Sequence, residues 1–272
     1  MKKADIIQEI KQKKSFLCTG LDTEMGKLPG HLPKNESGFL QFNKEIVAAT
    51  APHSISYKIN TAFYEQYGAE GWQWMEETLS YLPKNTFKIA DAKRGDIGNT
   101  STMYARAFFE RMSFDAITVS PYMGEDSLRP FLEFEDKTII CLALTSNPGH
   151  KDFQLFSNSQ KQHLYERVLE TVSKWGNTDN LMFVAGGTHQ DILKKVRSVV
   201  PDHFLLVPGI GAQGGSLSDV VEHAATPELG LIVNSSRGII YAGNDEQYAE
   251  KAGEAASKLA SEMAGFVDQN LV

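Results

Sequence analysis

Short apolar runs recur along the chain, and each gives way to polar or glycine residues. Eight stand out: Ser15–Asp22, Ser54–Asn60, Thr86–Lys93, Ala116–Tyr122, Thr138–Ser146, Leu181–Gly187, His203–Ile210 and Gly230–Arg237. Runs of this length, bounded by turn-forming residues, read as strands buried on both faces. Between them apolar positions return at helical spacing, as over Phe39–Thr50, Gly71–Leu82, Gln160–Trp175, Asp191–Val200 and Leu217–Ala225. An Ala-rich helix, Ala249–Met263, closes the chain. At its start Ile6, Ile7 and Ile10 form one apolar stripe, expected to be a helix that plugs the lower end of a barrel. Eight strand-then-helix units in about 250 residues match the α/β class and, within it, the (β/α)₈ TIM barrel. A doubly wound open sheet is the alternative; even spacing without a break in composition favours one barrel. No low-complexity linker interrupts the chain, so residues 1–272 are expected to form a single barrel domain with an N-terminal helix. The longest irregular stretches, Glu24–Gly38 and Asn147–Gln160, follow strand ends and are candidate active-site loops.

Composition narrows the function. With 27 basic and 34 acidic side chains the net charge is -7, so the chain is not expected to bind nucleic acid. An anionic ligand would have to be held by local donors rather than by the global field. Cys18 and Cys141, the only cysteines, lie in apolar strand-like runs. That pattern predicts buried thiols in a reducing, cytoplasmic setting. The segment Met1 to Ser15 lacks the apolar core of a signal peptide, and no apolar stretch is long enough to span a membrane.

The candidate chemistry falls at the C-terminal ends of the expected strands, where parallel α/β folds bind ligands. The third strand runs into Asp91-Ala92-Lys93-Arg94-Gly95-Asp96-Ile97-Gly98-Asn99-Thr100. Two carboxylates flank an ammonium there, which makes Lys93 a fixed cation and a ready proton donor. Asp22 ends the first strand, Lys58 lies near the end of the second, and Ser146 ends the fifth in Thr145-Ser146-Asn147-Pro148-Gly149. The seventh leads into Pro208-Gly209-Ile210-Gly211-Ala212-Gln213-Gly214-Gly215, and the eighth into Asn234-Ser235-Ser236-Arg237-Gly238. Glycine-rich turns that lead into helices expose backbone N–H groups suited to phosphate. Arg237 adds a guanidinium fork and Gln213 a further donor. Each feature also has a plainer reading. The charges could be a solvated ion-pair cluster, the glycines mere turn formers, Asp22 a cap, and Ser146 a turn residue. The alternation of charge within one ring of loops, and the pairing of two glycine loops with an arginine, favour a site. The seven histidines show no metal-ligand spacing, so no metal is expected. Trp72 and Trp74 read as packing residues.

These motifs resemble those of the orotidine 5′-phosphate decarboxylase family. Asp91-x-Lys93-x-x-Asp96-Ile97-x-x-Thr100 is similar to its signature. The likeness extends in order to Leu21-Asp22, Lys58, Thr145-Ser146-x-Pro148-Gly149, the Pro208–Gly215 loop and Arg237. The spacing, and Pro121-Tyr122-Met123-Gly124, look like the longer branch of that family. The resemblance implies a cofactor-free conversion of orotidine 5′-phosphate to uridine 5′-phosphate and carbon dioxide, in a homodimer with shared sites. It implies that Lys93 protonates C6, that Asp91 lies beside the departing carboxylate, and that Lys58 and Asp22 hold ribose hydroxyls and order the charges. It further implies that Asp96, with Ile97 and Thr100, reaches the partner's site, that Ser146 reads the pyrimidine edge, and that Gln213 and Arg237 grip phosphate. In the family pattern Pro208 belongs to the phosphate loop. Two other readings stay open from the residues: another sugar-phosphate barrel, such as a pentulose-phosphate epimerase or hexulose-phosphate synthase, and a barrel that binds a nucleotide without catalysis.

Overall fold

Apolar runs flanked by glycine and polar residues become strands that are nearly all buried. In the computed structural model, which describes residues 1–186, 190–209 and 216–271, these are β1 (Leu17–Gly20), β2 (Ser54–Asn60), β3 (Phe87–Arg94), β4 (Ala116–Val119), β5 (Thr138–Leu144), β6 (Leu181–Ala185), β7 (Leu205–Pro208) and β8 (Leu231–Ser235). All neighbours pair in parallel, and β8 returns to β1, closing the barrel. An open doubly wound sheet is thereby excluded. β2 keeps the expected bounds and β3 is shifted by one residue, whereas the other six strands are shorter than expected, chiefly at their C-terminal ends. There the chain leaves the ladder to build loops, so that Asp22, Tyr122 and Ser146 stand just outside their strands.

Helices cover the outside of the barrel. Those over Glu36–Thr50, Gly68–Tyr81, Leu164–Val172, Gln190–Val199, Leu217–Ala224 and Tyr248–Asn270 occupy the segments where helical spacing is visible. The last extends seven residues beyond Met263, and its Ala252, Ala256, Met263 and Val267 are buried. Further helices at Gly98–Arg106 and Glu125–Leu132 follow β3 and β4. Within the described residues, no helix is long and apolar enough to cross a membrane.

The N-terminal helix, Lys3–Lys13, closes the end of the barrel opposite the candidate loops. Ile6 and Ile10 are fully buried. Lys13 Nζ donates to the carbonyls of Ala51 and Ser54, and Glu9 accepts from Asn85, so the helix is tied to the segments that enter β2 and β3.

Candidate active site

At the opposite end, inward-facing residues of seven strands and the loops after them enclose two adjoining chambers. The first, of about 250 Å³, is lined by Lys58, Asp91, Lys93 and Thr118 on one side and by Thr145, Ser146 and Asn147 on another. Leu142, Val184 and Leu206 supply an apolar wall. They are register neighbours across β5, β6 and β7, which is why three side chains from distant segments form one surface. The second chamber, of about 200 Å³, is bounded by Asp22, Asn60, Pro208, Gly209 and the segment Ser235–Gly238 with Arg237. Lys58, Asp91, Pro208 and Asn234 border both. A flat, mostly apolar group fits the first chamber and a polar, anionic group the second.

The charges form a chain. Lys58 Nζ lies 3.0 Å from Asp91 Oδ2 and 3.5 Å from Asp22 Oδ1. Lys93 Nζ lies 2.5 Å from Asp91 Oδ1, and Thr118 Oγ1 donates to the same oxygen at 3.1 Å. Burial opposes the charge of Lys58, yet Asp91 and then Asp22 outweigh it and hold its pKa above the usual lysine range. Burial likewise opposes ionisation of Asp91, and Lys58 and Lys93 together hold its carboxyl well below the usual carboxylate range. The Lys58 side chain is 6% exposed and that of Lys93 is 49% exposed. Lys58 is therefore locked into the wall, whereas Lys93 reaches both the chamber and the solvent.

The loop after β5 is held from both sides. The backbone N–H of Thr145 donates to Gln154 Oε1 at 2.8 Å, and Gln154 Nε2 donates to Thr145 Oγ1 at 2.9 Å. At the end of β6, a Cβ on Gly186 would come within 2.5 Å of the Ser146 amide nitrogen. Only glycine leaves room for that loop to turn inward and present Ser146 to the chamber.

Of the residues singled out in the sequence, Asp22, Lys58, Asp91, Lys93, Ser146, Pro208 and Arg237 meet around the two chambers. Gln213 lies outside the described residues. Asp96, Ile97 and Thr100 line neither chamber. Asp96 turns back on its own loop, where Oδ1 accepts the Ile97 amide at 2.8 Å, and Ile97 is 60% exposed. No residue of Glu24–Gly38 lines a chamber, whereas Asn147 from the other candidate loop does. Sequence reading passed over Thr118, the three apolar wall residues and Asn60. Each lies within the last three residues of its strand, on the alternation that faces inward, and that was the available signal. Among the described residues, the grouping of potential metal ligands is Asp219, Glu222 and His223, with ligating atoms within 4.8 Å of one another. It lies on the helix Leu217–Ala224, outside both chambers. Cys18 and Cys141 are free and buried, and burial pushes the Cys18 thiol up to about 12. Trp74 is buried and Trp72 packs on Phe108.

The chain is similar to known proteins. The model of the orotidine 5′-phosphate decarboxylase / HUMPS family matches residues 15–252. The orotidine 5′-phosphate decarboxylase of Phocaeicola vulgatus is 53% identical over 272 residues, covering 99% of this chain and 100% of its own. That of Flavobacterium johnsoniae is 53% identical over 264 residues, with 96% of each chain covered. Among solved structures, the OMP decarboxylase of Leishmania donovani superposes with a TM-score of 0.81 at 34% identity, covering 96% of this chain and 99% of its own.

Proposed function

Because the chain belongs to the orotidine 5′-phosphate decarboxylase / HUMPS family, we propose that it converts orotidine 5′-phosphate to uridine 5′-phosphate and carbon dioxide, using its own side chains and no cofactor. The observation that carries this reading is the Asp22–Lys58–Asp91–Lys93 chain at the junction of a base-sized and a phosphate-facing chamber. A sugar-phosphate synthase is the alternative enzyme reading that the residues leave open. The relatives that match this chain at 53% identity over nearly all of its length are decarboxylases by name.

The chemistry follows from the placement. The pyrimidine sits against Leu142, Val184 and Leu206, with Ser146 at its polar edge. The ribose lies by Asp22, Lys58 and Asn60, and the phosphate lies toward Arg237 and Gly209. The bond between C6 and the carboxylate breaks, carbon dioxide departs, and the electron pair remains on C6. A fixed ammonium beside C6 stabilises that pair as it forms. Lys93 then gives C6 its proton, and the amine regains one from solvent, to which its side chain is half open. A substrate carboxylate about 4 Å from Asp91 would be repelled by about 4 kcal/mol at an effective dielectric near 20. That repulsion vanishes as carbon dioxide leaves. The preorganised Lys93 carries more of the effect, since it acts on charge that exists only in the transition state. Phosphate binding, remote from C6, supplies energy for orientation.

Two subunits sharing their sites fit the ring of loops after β3 and β4. Ile97, Met103, Tyr122 and Met123 are exposed there, Tyr122 at 88%. Ile97 and Met103 belong to the same segment as Asp96 and Thr100, which line neither chamber. A second copy seated on these loops would receive Asp96 in its own site. Two buried free thiols suit a reducing, cytoplasmic setting.

Loss of ultraviolet absorbance from orotidine 5′-phosphate tests the activity, with excess chelator present to separate it from a metal-dependent epimerase. Lys93→Ala should abolish turnover yet leave a folded protein that binds uridine 5′-phosphate. Turnover within about tenfold of the parent, a barrier change of only about 1.4 kcal/mol, would remove Lys93 from the proton-donor role.

A further inference from the structure

We infer that the hydroxyl of Thr118 is a positioning device for Lys93 and Asp91, holding both in the geometry from which Lys93 reaches C6. The inference rests on the decarboxylase reading above. It starts from an irregularity in the barrel. The β3–β4 register runs Ile89↔Ala116, Ala90↔Ile117 and then Arg94↔Val119. Four steps along β3 oppose two along β4, so Asp91, Ala92 and Lys93 bulge over the single residue Thr118. Within the bulge Lys93 has a φ of 47°. A lysine adopts this left-handed conformation only where its surroundings hold it there. A bulge also takes backbone N–H groups away from their ladder partners.

Thr118 answers both demands. Its Oγ1 accepts the Lys93 backbone N–H at 2.9 Å, in the place a ladder carbonyl would have taken. The same hydroxyl donates its single proton to Asp91 Oδ1 at 3.1 Å. One donor and one acceptor are thereby used, each in the only direction open to it, because a backbone N–H cannot accept and an ionised carboxylate cannot donate. Asp91 Oδ1 is also the oxygen that Lys93 Nζ contacts. One side chain therefore fixes the backbone of the reacting residue and the carboxylate that aims its ammonium. Thr118 is 1% exposed and lines the base chamber, and its branched Cβ restricts the hydroxyl to few rotamers.

Thr118→Val keeps the shape and removes both hydrogen bonds, whereas Thr118→Ser keeps the hydroxyl and loses the branch. Steady-state kinetics on orotidine 5′-phosphate and calorimetric binding of uridine 5′-phosphate should be measured for parent and variants. In Thr118→Val, kcat should fall by about ten- to a hundredfold, the scale of losing hydrogen bonds to a charged group. KM and product affinity should stay within about threefold, and Thr118→Ser should recover kcat to within about threefold of the parent. The inference is overturned if Thr118→Val retains kcat within about threefold, if the serine variant falls as far as the valine one, or if product affinity drops in step with kcat. Should the valine variant not fold, Thr118→Ala also lacks the hydroxyl and is read by the same criteria. A parent without activity on orotidine 5′-phosphate would instead overturn the functional reading, and that is seen before any variant is made.

Discussion

Asp91 accepts from three donors, Lys58, Lys93 and Thr118, and its ionisation sets a pH signature. Its folded pKa lies below 3.8, so its contribution to stability is complete above that value and is lost as pH falls through the folded pKa. Lys58 has the opposite sign. Its folded pKa lies above 10.5, so its contribution is complete below that value and is lost as pH rises through the folded one. Both charges therefore persist across the neutral range. The stability difference between parent and Asp91→Asn, from urea unfolding, should be constant between about pH 5 and 9 and shrink in favour of the variant below about pH 4. A difference that widens on acidification would show that Asp91 is not held ionised by its lysines. At this scale the sequence reveals charged residues more readily than their supports. The spacing Asp-x-Lys-x-x-Asp marks Asp91 and Lys93 because charges of alternating sign gather there within one ring of loops. Thr118 sits in Ala-Ile-Thr-Val, where threonine is an ordinary strand former. Its role comes from a bulge on the neighbouring strand, and no local pattern encodes that pairing.

Helices carry part of the site indirectly. Asn43, on the helix Glu36–Thr50, is fully buried. Its Oδ1 accepts from Thr23 at 2.6 Å, and its Nδ2 donates to Tyr64 and Thr78, both at 3.0 Å. Tyr64 in turn donates to the Leu21 carbonyl at 3.2 Å. These bonds clamp both sides of Asp22, so three outer helices, Glu36–Thr50, Ala62–Glu65 and Gly68–Tyr81, fix the angle at which β1 delivers its carboxylate. Asn43→Leu leaves the hydroxyls of Thr23, Tyr64 and Thr78 short of partners, at about 1–3 kcal/mol for each group left unsatisfied. It should lower stability by about 3 kcal/mol or more, read as a lower denaturant midpoint with the slope unchanged. KM for orotidine 5′-phosphate should also rise as Asp22 loosens. An unchanged midpoint would show that the network is not needed. Helical periodicity reports that a helix exists and which face is apolar, but a buried polar residue on that face looks like noise. The helices Gly98–Arg106 and Glu125–Leu132 were harder to read for a related reason. The first presents only Ser101 and Ala105 as buried positions, and the second carries Pro130 internally.

Across the whole molecule, strand alternation with helices every thirty or so residues makes the closed barrel legible, because only a parallel sheet covered by helices buries eight two-sided strands. The sequence pattern does not say which side chains work in which subunit. Asp96 and Lys93 are three residues apart, yet Lys93 lines the base chamber while Asp96 bends onto its own loop. If Lys93 serves its own site and Asp96 the partner's, two inactive variants should complement each other. In a mixed dimer of Lys93→Ala and Asp96→Ala chains, one site holds both defects. The other takes Lys93 from the Asp96→Ala chain and Asp96 from the Lys93→Ala chain, and is intact. Random pairing makes about half of the dimers mixed, each with one good site, so coexpression should restore about a quarter of parental activity per site in a two-fold dimer. Coexpression lets the two chains pair as they fold, so the test does not depend on exchange between preformed dimers. Differential tags would isolate the mixed species, whose expected activity is about half that of the parent per dimer. Mixed dimers as inactive as their two parents would mean that each site is built from a single chain, with Asp96 confined to its own loop.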